Sequence, residues 1–151
     1  MSGRSDEQAA VERLLAATGA SRVTLRLEDA GGEFPIVAEA CAPGIRSLRG
    51  ETGIDLRAGA TFIALERDRL ILLQEDLEHA DPAPPPQLVR DYGARAQMLA
   101  PLVRGGRLCG IVSVHESSGP RRWRDEDVKA LIAQTGAIAS ALGADPPAPA
   151  R

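Results

Sequence analysis

The chain has 151 residues, 44% of them apolar and 26% charged, with a net charge of −3. That is one domain's worth of ordinary globular composition, long enough to bury a real core. Its weak acidity argues against nonspecific nucleic-acid binding, which depends on Lys and Arg neutralising phosphates, and no apolar run approaches the length of a membrane span.

Further limits come from rare residues. The only aromatics are Phe34, Phe62, Tyr92 and Trp123, so the core must be built from Leu, Val, Ile and Ala. Lys129 is the single lysine among 18 Lys and Arg residues, a bias that reads as codon composition. Arg121, Arg122 and Arg124, like Arg104 and Arg107, have acidic neighbours and read as solvated faces. Cys41 and Cys109 have no metal-type spacing and fit a reducing compartment. The opening MSGRSDEQ carries no apolar segment, so no secretory signal is expected. A soluble cytoplasmic protein follows as the expectation.

In chain order, Ser5-Asp6-Glu7-Gln8 has the form of a capping box that starts a helix over Asp6–Thr18, with Gly19 as its left-handed stop. Ser21–Glu28 alternates strictly, with Val23, Leu25 and Leu27 on one side and Thr24, Arg26 and Glu28 on the other: a half-buried strand. Asp29–Gly32 turns it into a second strand, Phe34–Ala40. The stretch Cys41–Arg69 is the least legible, with a loop over Arg46–Ile54 and a short helix over Gly59–Asp68. Leu70–Gln74 reads as a strand. The prolines at 82 and 84–86 stiffen a loop, the last of them placed to start a short helix through Tyr92. Gln97–Val103 and Leu108–His115 form a hairpin across Gly105-Gly106. Asp125–Leu142 is a long helix with Val128, Leu131, Ile132, Thr135, Ile138 and Leu142 on one stripe, and acids in its first turn favour the helix dipole. The tail Ala144–Arg151 is proline-rich and expected to be disordered, leaving residues 1–143 as the domain.

Four segments together resemble the GAF family, small ligand-binding modules of signalling proteins. They are Asp91-Tyr92-Gly93, Met98–Leu102, Gly106–Ile111 and Trp123–Val128. The resemblance covers roughly Glu12–Leu142. It implies an α+β fold: a central antiparallel sheet of five or six strands, the N- and C-terminal helices on one face, and a loop-roofed pocket on the other. It does not extend to the family's free-methionine sulfoxide reductases, whose activity needs several cysteines in pocket loops. Neither Arg46–Ile54 nor Asp76–Gly93 contains one. A covalent bilin would need a cysteine near the roof helix, which Cys41 and Cys109 do not match.

Strand parity then selects the pocket face. On Leu108–His115, the side with Leu108, Val112 and Val114 suits the helices, and the side with Cys109, Ile111, Ser113 and His115 suits the pocket. Thr24 and Arg26 join from the first strand, and Val37 and Glu39 from the second. With the family's strand order, Arg26 is expected between Glu39 and His115. Two readings stay open: a cross-strand ion pair between Arg26 and Glu39 with His115 at the rim, or a site for a small polar or anionic ligand with Arg26 as its bidentate partner. Ligand-binding candidates are Arg26, Glu39, Tyr92, Ser113 and His115, with Tyr92 as roof. Phe62, Met98 and Trp123 are further bulky residues able to flank a planar ligand, although Trp123 also reads as a helix-start anchor.

His79 and His115 are the only histidines and lack metal-ligand spacing; Asp76, Glu78, His79 and Asp81 read as a solvated acidic loop. Cys109 and His115 lie about 20 Å apart along one strand, too far for a dyad. No metal and no particular cofactor is implied. The expected function is a stand-alone module that senses or sequesters a small metabolite through a dimer or partner protein, with no membrane or nucleic acid involved. Ala9, Leu15, Ala137 and Ala141 are candidate dimer positions. The alternative is an enzyme using Arg26, Glu39 and His115 for acid–base chemistry on a carboxylate-bearing substrate.

Overall fold

The computed structural model describes residues 2–51 and 54–148, with side chains from Asp6 onward. Its helices are α1 (Ser2–Thr18), α2 (Ala60–Asp68), α3 (Pro86–Arg90) and α4 (Asp125–Leu142). Its strands are β1 (Arg22–Leu27), β2 (Ile36–Cys41), β3 (Leu72–Gln74), β4 (Ala96–Arg104) and β5 (Arg107–Glu116). Gly105 and Gly106, with φ of 60° and 79°, supply the two left-handed positions of a tight turn between β4 and β5. The strands form one five-stranded antiparallel sheet in the order β2-β1-β5-β4-β3.

The terminal helices pack together on one face of the sheet, as expected. Val11 and Leu14 of α1 and Leu131 and Ile138 of α4 meet Val23, Leu25, Met98, Val112 and Val114 there. The other face carries smaller clusters, one around Phe34, Phe62, Leu65 and Ile111 and one around Leu48, Leu77 and Leu88. Splitting the apolar residues into two layers leaves β1 and β5 covered on both sides.

Two bulges change the side-chain parity read from the sequence. Leu102 pairs with Gly110 but Val103 with Leu108, so Cys109 is the extra residue on β5. Cys109 therefore joins the helix-side core and Leu108 the opposite cluster, the reverse of the alternation expected. Gly110 permits this: a Cβ there would lie 2.8 Å from Leu27 Cδ2 and 3.0 Å from the Arg26 carbonyl oxygen. On β2, Leu25 pairs with Ala38 but Arg26 with Ile36, leaving Val37 extra. Val37 turns to the helix side, and Ile36 takes its place towards the roof. Met98 has helix-side parity and is fully buried there, away from any ligand.

Several local expectations also differ. The first helix begins at Ser2, a turn earlier than expected, so Ser5 lies within it rather than capping it. The capping side chain of Ser5 falls outside the described residues. Gln8 instead pairs with the β2 edge, its amide donating to the Glu39 carbonyl at 2.8 Å and accepting from the Glu39 N–H at 3.2 Å. Ile132 is 46% exposed, because the buried stripe of α4 narrows to Leu131, Thr135, Ile138 and Ala139. The segment after α4 is hydrogen-bonded as far as Ala148: Asp145 exchanges bonds with Val103 at 2.7 and 3.1 Å, and the Ala148 N–H donates to the Arg69 carbonyl. Residues 149–151 lie outside the described residues.

Arg121 is not part of a solvated face. Its guanidinium donates to Glu116 Oε1 at 2.8 Å, to the Thr18 carbonyl at 2.6 Å and to Asp127 Oδ2 at 3.2 Å. It also stacks 4.6 Å from the Trp123 ring centroid. Trp123 is the expected anchor, donating its indole N–H to the Gln74 carbonyl. Burial raises the Asp127 carboxyl, but hydrogen bonds from Arg124 together with the Arg121 charge outweigh it and hold the group below the usual carboxylate range. One side chain thus ties the end of α1, the end of β5 and the start of α4. Arg121→Ala is expected to destabilise the fold by about 2–4 kcal/mol, because it removes a charged partner shared by two buried carboxylates, leaving Asp127 to Arg124 and Glu116 to serine hydroxyls. Urea unfolding should show that loss, whereas exposed Arg122→Ala should change stability by less than about 0.5 kcal/mol.

Candidate functional site

β1 places Arg22, Thr24 and Arg26 on the face opposite the terminal helices. The register sets their partners: Arg22 lies between Cys41 and His115, Thr24 between Glu39 and Ser113, and Arg26 between Ile36 and Ile111. Arg26 is therefore not between Glu39 and His115. The strand order is as expected, but the pairing is offset along β1, and Arg22 is the residue opposite His115.

Arg22 is fully buried. Its Nε and Nη2 donate to the Arg46 carbonyl at 3.1 and 2.8 Å, and its Nη1 meets His115 Nδ1 at 3.1 Å. An arginine can only donate, so Nδ1 accepts and the neutral imidazole carries its proton on Nε2. Burial drives the His115 pKa down to about 3, with Arg22 and then Arg26 adding repulsion. Burial also lowers the Arg22 guanidinium, an effect only partly offset by Cys41 and Glu39.

Between this sheet face and its roof lies a cavity of about 40 Å³. Thr24, Arg26, Gln97, Ser113 and His115 line its floor, and Leu48, Ile54, Thr61, Phe62, Leu65 and Leu88 close it from above. Arg26, Ile54 and Leu56 also line a surface cleft of about 550 Å³, so Arg26 stands at the cavity's outer wall. It donates to the Phe34 carbonyl at 2.8 Å and pairs with Glu51 at 3.5 Å. Burial lowers its guanidinium, and Glu51 offsets part of that.

Of the residues selected from the sequence, Arg26, Ser113 and His115 line one cavity; Glu39 and Tyr92 do not. The Glu39 carboxylate accepts from the Leu48 N–H at 2.8 Å and from the Ser47 hydroxyl, anchoring the loop after β2. No ion pair joins Arg26 to Glu39; Glu51 takes that place. The Tyr92 ring lies 4.6 Å from the Arg46 guanidinium and steadies the same loop from the turn after α3. Phe62 lines the cavity, whereas Trp123 and Met98 belong to the helix side. Sequence reasoning missed Arg22, Gln97 and Glu51. The first two share parity with chosen neighbours and could have been found the same way; Glu51 lies in a loop whose course no pattern revealed.

Burial raises both thiols, Cys41 and Cys109, so neither is a ready thiolate. His79 is exposed and pairs with Asp76 at 3.0 Å. Among the described residues, no group of three or more His, Cys, Asp or Glu side chains could hold a metal ion, and no helix is long and apolar enough to cross a membrane.

The depressed His115 pKa makes stability depend on pH. The unfolded chain takes up a proton near 6.5 while the folded chain resists until about 3, so stability present at neutral pH is lost as pH falls through that window. The full shift corresponds to a loss on the order of 5 kcal/mol. His115→Gln cannot charge, so its urea midpoint should fall less than that of the wild-type protein between pH 6.5 and pH 4 (roughly the upper part of that window). Parallel acid dependence of the two proteins would refute the buried neutral imidazole.

Known proteins share this architecture. A segment of 121 residues is 26% identical to part of a Synechocystis sp. protein described as a methyl-accepting chemotaxis protein, covering 79% of this chain and 12% of that protein's length. The Thermosynechococcus elongatus PixJ GAF domain, in its blue-light absorbing form, superposes with a TM-score of 0.74 at 18% identity over 94% of this chain and 88% of that one. The chromophore-binding domain of an R. palustris bacteriophytochrome gives 0.76 at 17% identity over 93% of this chain and 55% of that one. The family model of the GAF domain matches residues 8–142, nearly the whole sequence. The chain belongs to the GAF domain family.

Proposed function

We propose that this GAF domain binds a small polar or anionic metabolite in the cavity over β1 and β5, and that occupancy is passed on through a homodimer or a partner protein. The observation that carries the reading is the cavity's polar floor. Thr24, Thr61 and Ser113 are buried residues that line the cavity, and their hydroxyls make no side-chain hydrogen bond among the described residues; their oxygens stay open to the cavity space. A hydroxyl facing an enclosed cavity needs a partner there, so such a floor suits a ligand that brings its own polar atoms. A volume of about 40 Å³ holds roughly three waters, which favours a small molecule over a chromophore like those of the structural relatives.

The acid–base alternative is less well supported. Glu39 is engaged with Ser47 and Leu48 outside the cavity, and an imidazole that protonates near 3 is a poor proton donor at neutral pH. For signal output, the exposed faces of α4 at Ile132, Ala137 and Ala141 offer apolar surface, while Ala9 and Leu15 on α1 are half-buried beside it. The chemotaxis relative supports a signalling setting.

Native mass spectrometry of freshly purified protein should reveal a retained small molecule. Arg26→Ala should lose it and Arg26→Lys should keep part, because lysine lacks the planar fork. Retention unchanged in a folded Arg26→Ala protein would refute the assignment. In sedimentation velocity the protein should run as a dimer that Ile132→Glu converts to a monomer; a wild-type monomer at high micromolar concentration would remove the dimer.

A further inference from the structure

The cavity lining contains an arginine but, among the described residues, no carboxylate. Glu51, the acid nearest Arg26, lines the outer cleft instead. Behind the cavity wall, Arg22 has no carboxylate within salt-bridge distance among the described residues; it donates to a carbonyl and a neutral imidazole. Cys41 and Glu39 offset the buried guanidinium only in part, so that end of the cavity stays electropositive. Arg22 does not itself line the cavity, but His115 does. With Nδ1 occupied by Arg22, the remaining ring group is Nε2–H, which has no protein acceptor among the described residues. Ser113 and Thr24 add free hydroxyls on adjoining positions of the same face.

We propose that Arg22 is a positioning residue that fixes His115 as the Nε2–H tautomer, so that His115, Ser113 and Thr24 present donors to the carboxylate of a short-chain acid. This rests on reading the cavity as the ligand site, and it names the ligand class. The carboxylate accepts from Nε2–H and the two hydroxyls, while its short apolar chain lies against Phe62, Leu65 and Ile111. A neutral amide of the same shape is rejected, because its NH₂ group faces donors. The charged and titratable groups acting on the pair are Arg26 from the same strand, Cys41 and Glu39 from β2, and Tyr92 from the roof. Gln97, opposite His115 on β4, is neutral.

Two measurements test this. Long-range ¹⁵N–¹H correlations on the imidazoles should show one histidine with a bare Nδ1 and a protonated Nε2, unchanged from neutral pH to about pH 5. Exposed His79, whose pKa the Asp76 hydrogen bond and charge raise above the ordinary value, titrates in solvent and serves as the internal control. Arg22→Met should give mixed tautomers and a titration displaced towards the ordinary range. If Arg22→Met does not fold, Arg22→Lys, which keeps a donor, should retain the single tautomer. An Nδ1–H tautomer in the wild-type protein, or an unchanged His115 in folded Arg22→Met, overturns the positioning role.

The second measurement titrates the protein with propionate and with propionamide, following amide shifts of Ser113 and Thr24. Propionate should bind at least about tenfold more tightly, and His115→Phe should remove the difference. Equal binding of the two probes, or binding of neither, overturns the carboxylate assignment. A different molecule retained in native mass spectrometry would then leave the cavity standing as a ligand site, whereas the absence of any ligand would remove that reading as well.

Discussion

The central constraint is that β1 and β5 are covered on both faces, so a polar group on them must find a partner inside the protein or in what fills the cavity. On the helix side the central stretches carry apolar groups, with Val23, Leu25, Val112 and Val114 filling the layer. On the other side, Arg22 carries a full charge into a site without solvent. It is tolerable there because a loop carbonyl and a histidine ring nitrogen accept its hydrogen bonds. The course of the loop after β2 follows from that requirement, since the Arg46 carbonyl must reach Arg22. Glu39 then fixes the next residues through Ser47 and Leu48. Leu48, drawn inward by these bonds, becomes part of the cavity's lid.

The same economy of charge appears at the other layer. Asp127 is fully buried at the start of α4, accepting from the Arg124 backbone and side chain as well as from Arg121. Glu116 accepts from Ser21, Ser118 and Arg121. Burial pushes the Glu116 carboxyl up, but these hydrogen bonds outweigh it and hold the group below its usual range. Here cation and carboxylates compensate each other within the protein, which makes the network structural. The Arg22–His115 pair has no carboxylate in hydrogen-bond contact, Glu39 acting on it only through space, and that difference in compensation separates a site open to an anionic ligand from one that is already satisfied.

Parity was a good guide to the site only where the strands remained regular. Thr24, Arg26, Ser113 and His115 face the cavity side because the alternation holds over those stretches. It fails at Cys109 and Val37, where one extra residue turns over its own side chain and the one before it. A bulge leaves little trace in a single sequence: Gly110 is compatible with one, but equally with an ordinary strand residue. Glu39 was correctly placed in the strand, yet its role depends on the neighbouring loop, which carries no periodicity to read.

The sequence by itself determined the element order, the tight turn at Gly105-Gly106 and the limits of α4, because periodicity and turn chemistry are local properties of the chain; the architecture came from its resemblance to the GAF family. It also determined which residue types were available for a site. Tertiary structure alone decided that Arg22 rather than Arg26 meets His115, that Glu51 rather than Glu39 pairs with Arg26, and that the tail pairs with Val103 and Arg69. Those outcomes depend on register and on loop paths between distant residues. A shift of a few positions along β1 changes every cross-strand neighbour while leaving the local pattern of hydrophobic and polar residues the same.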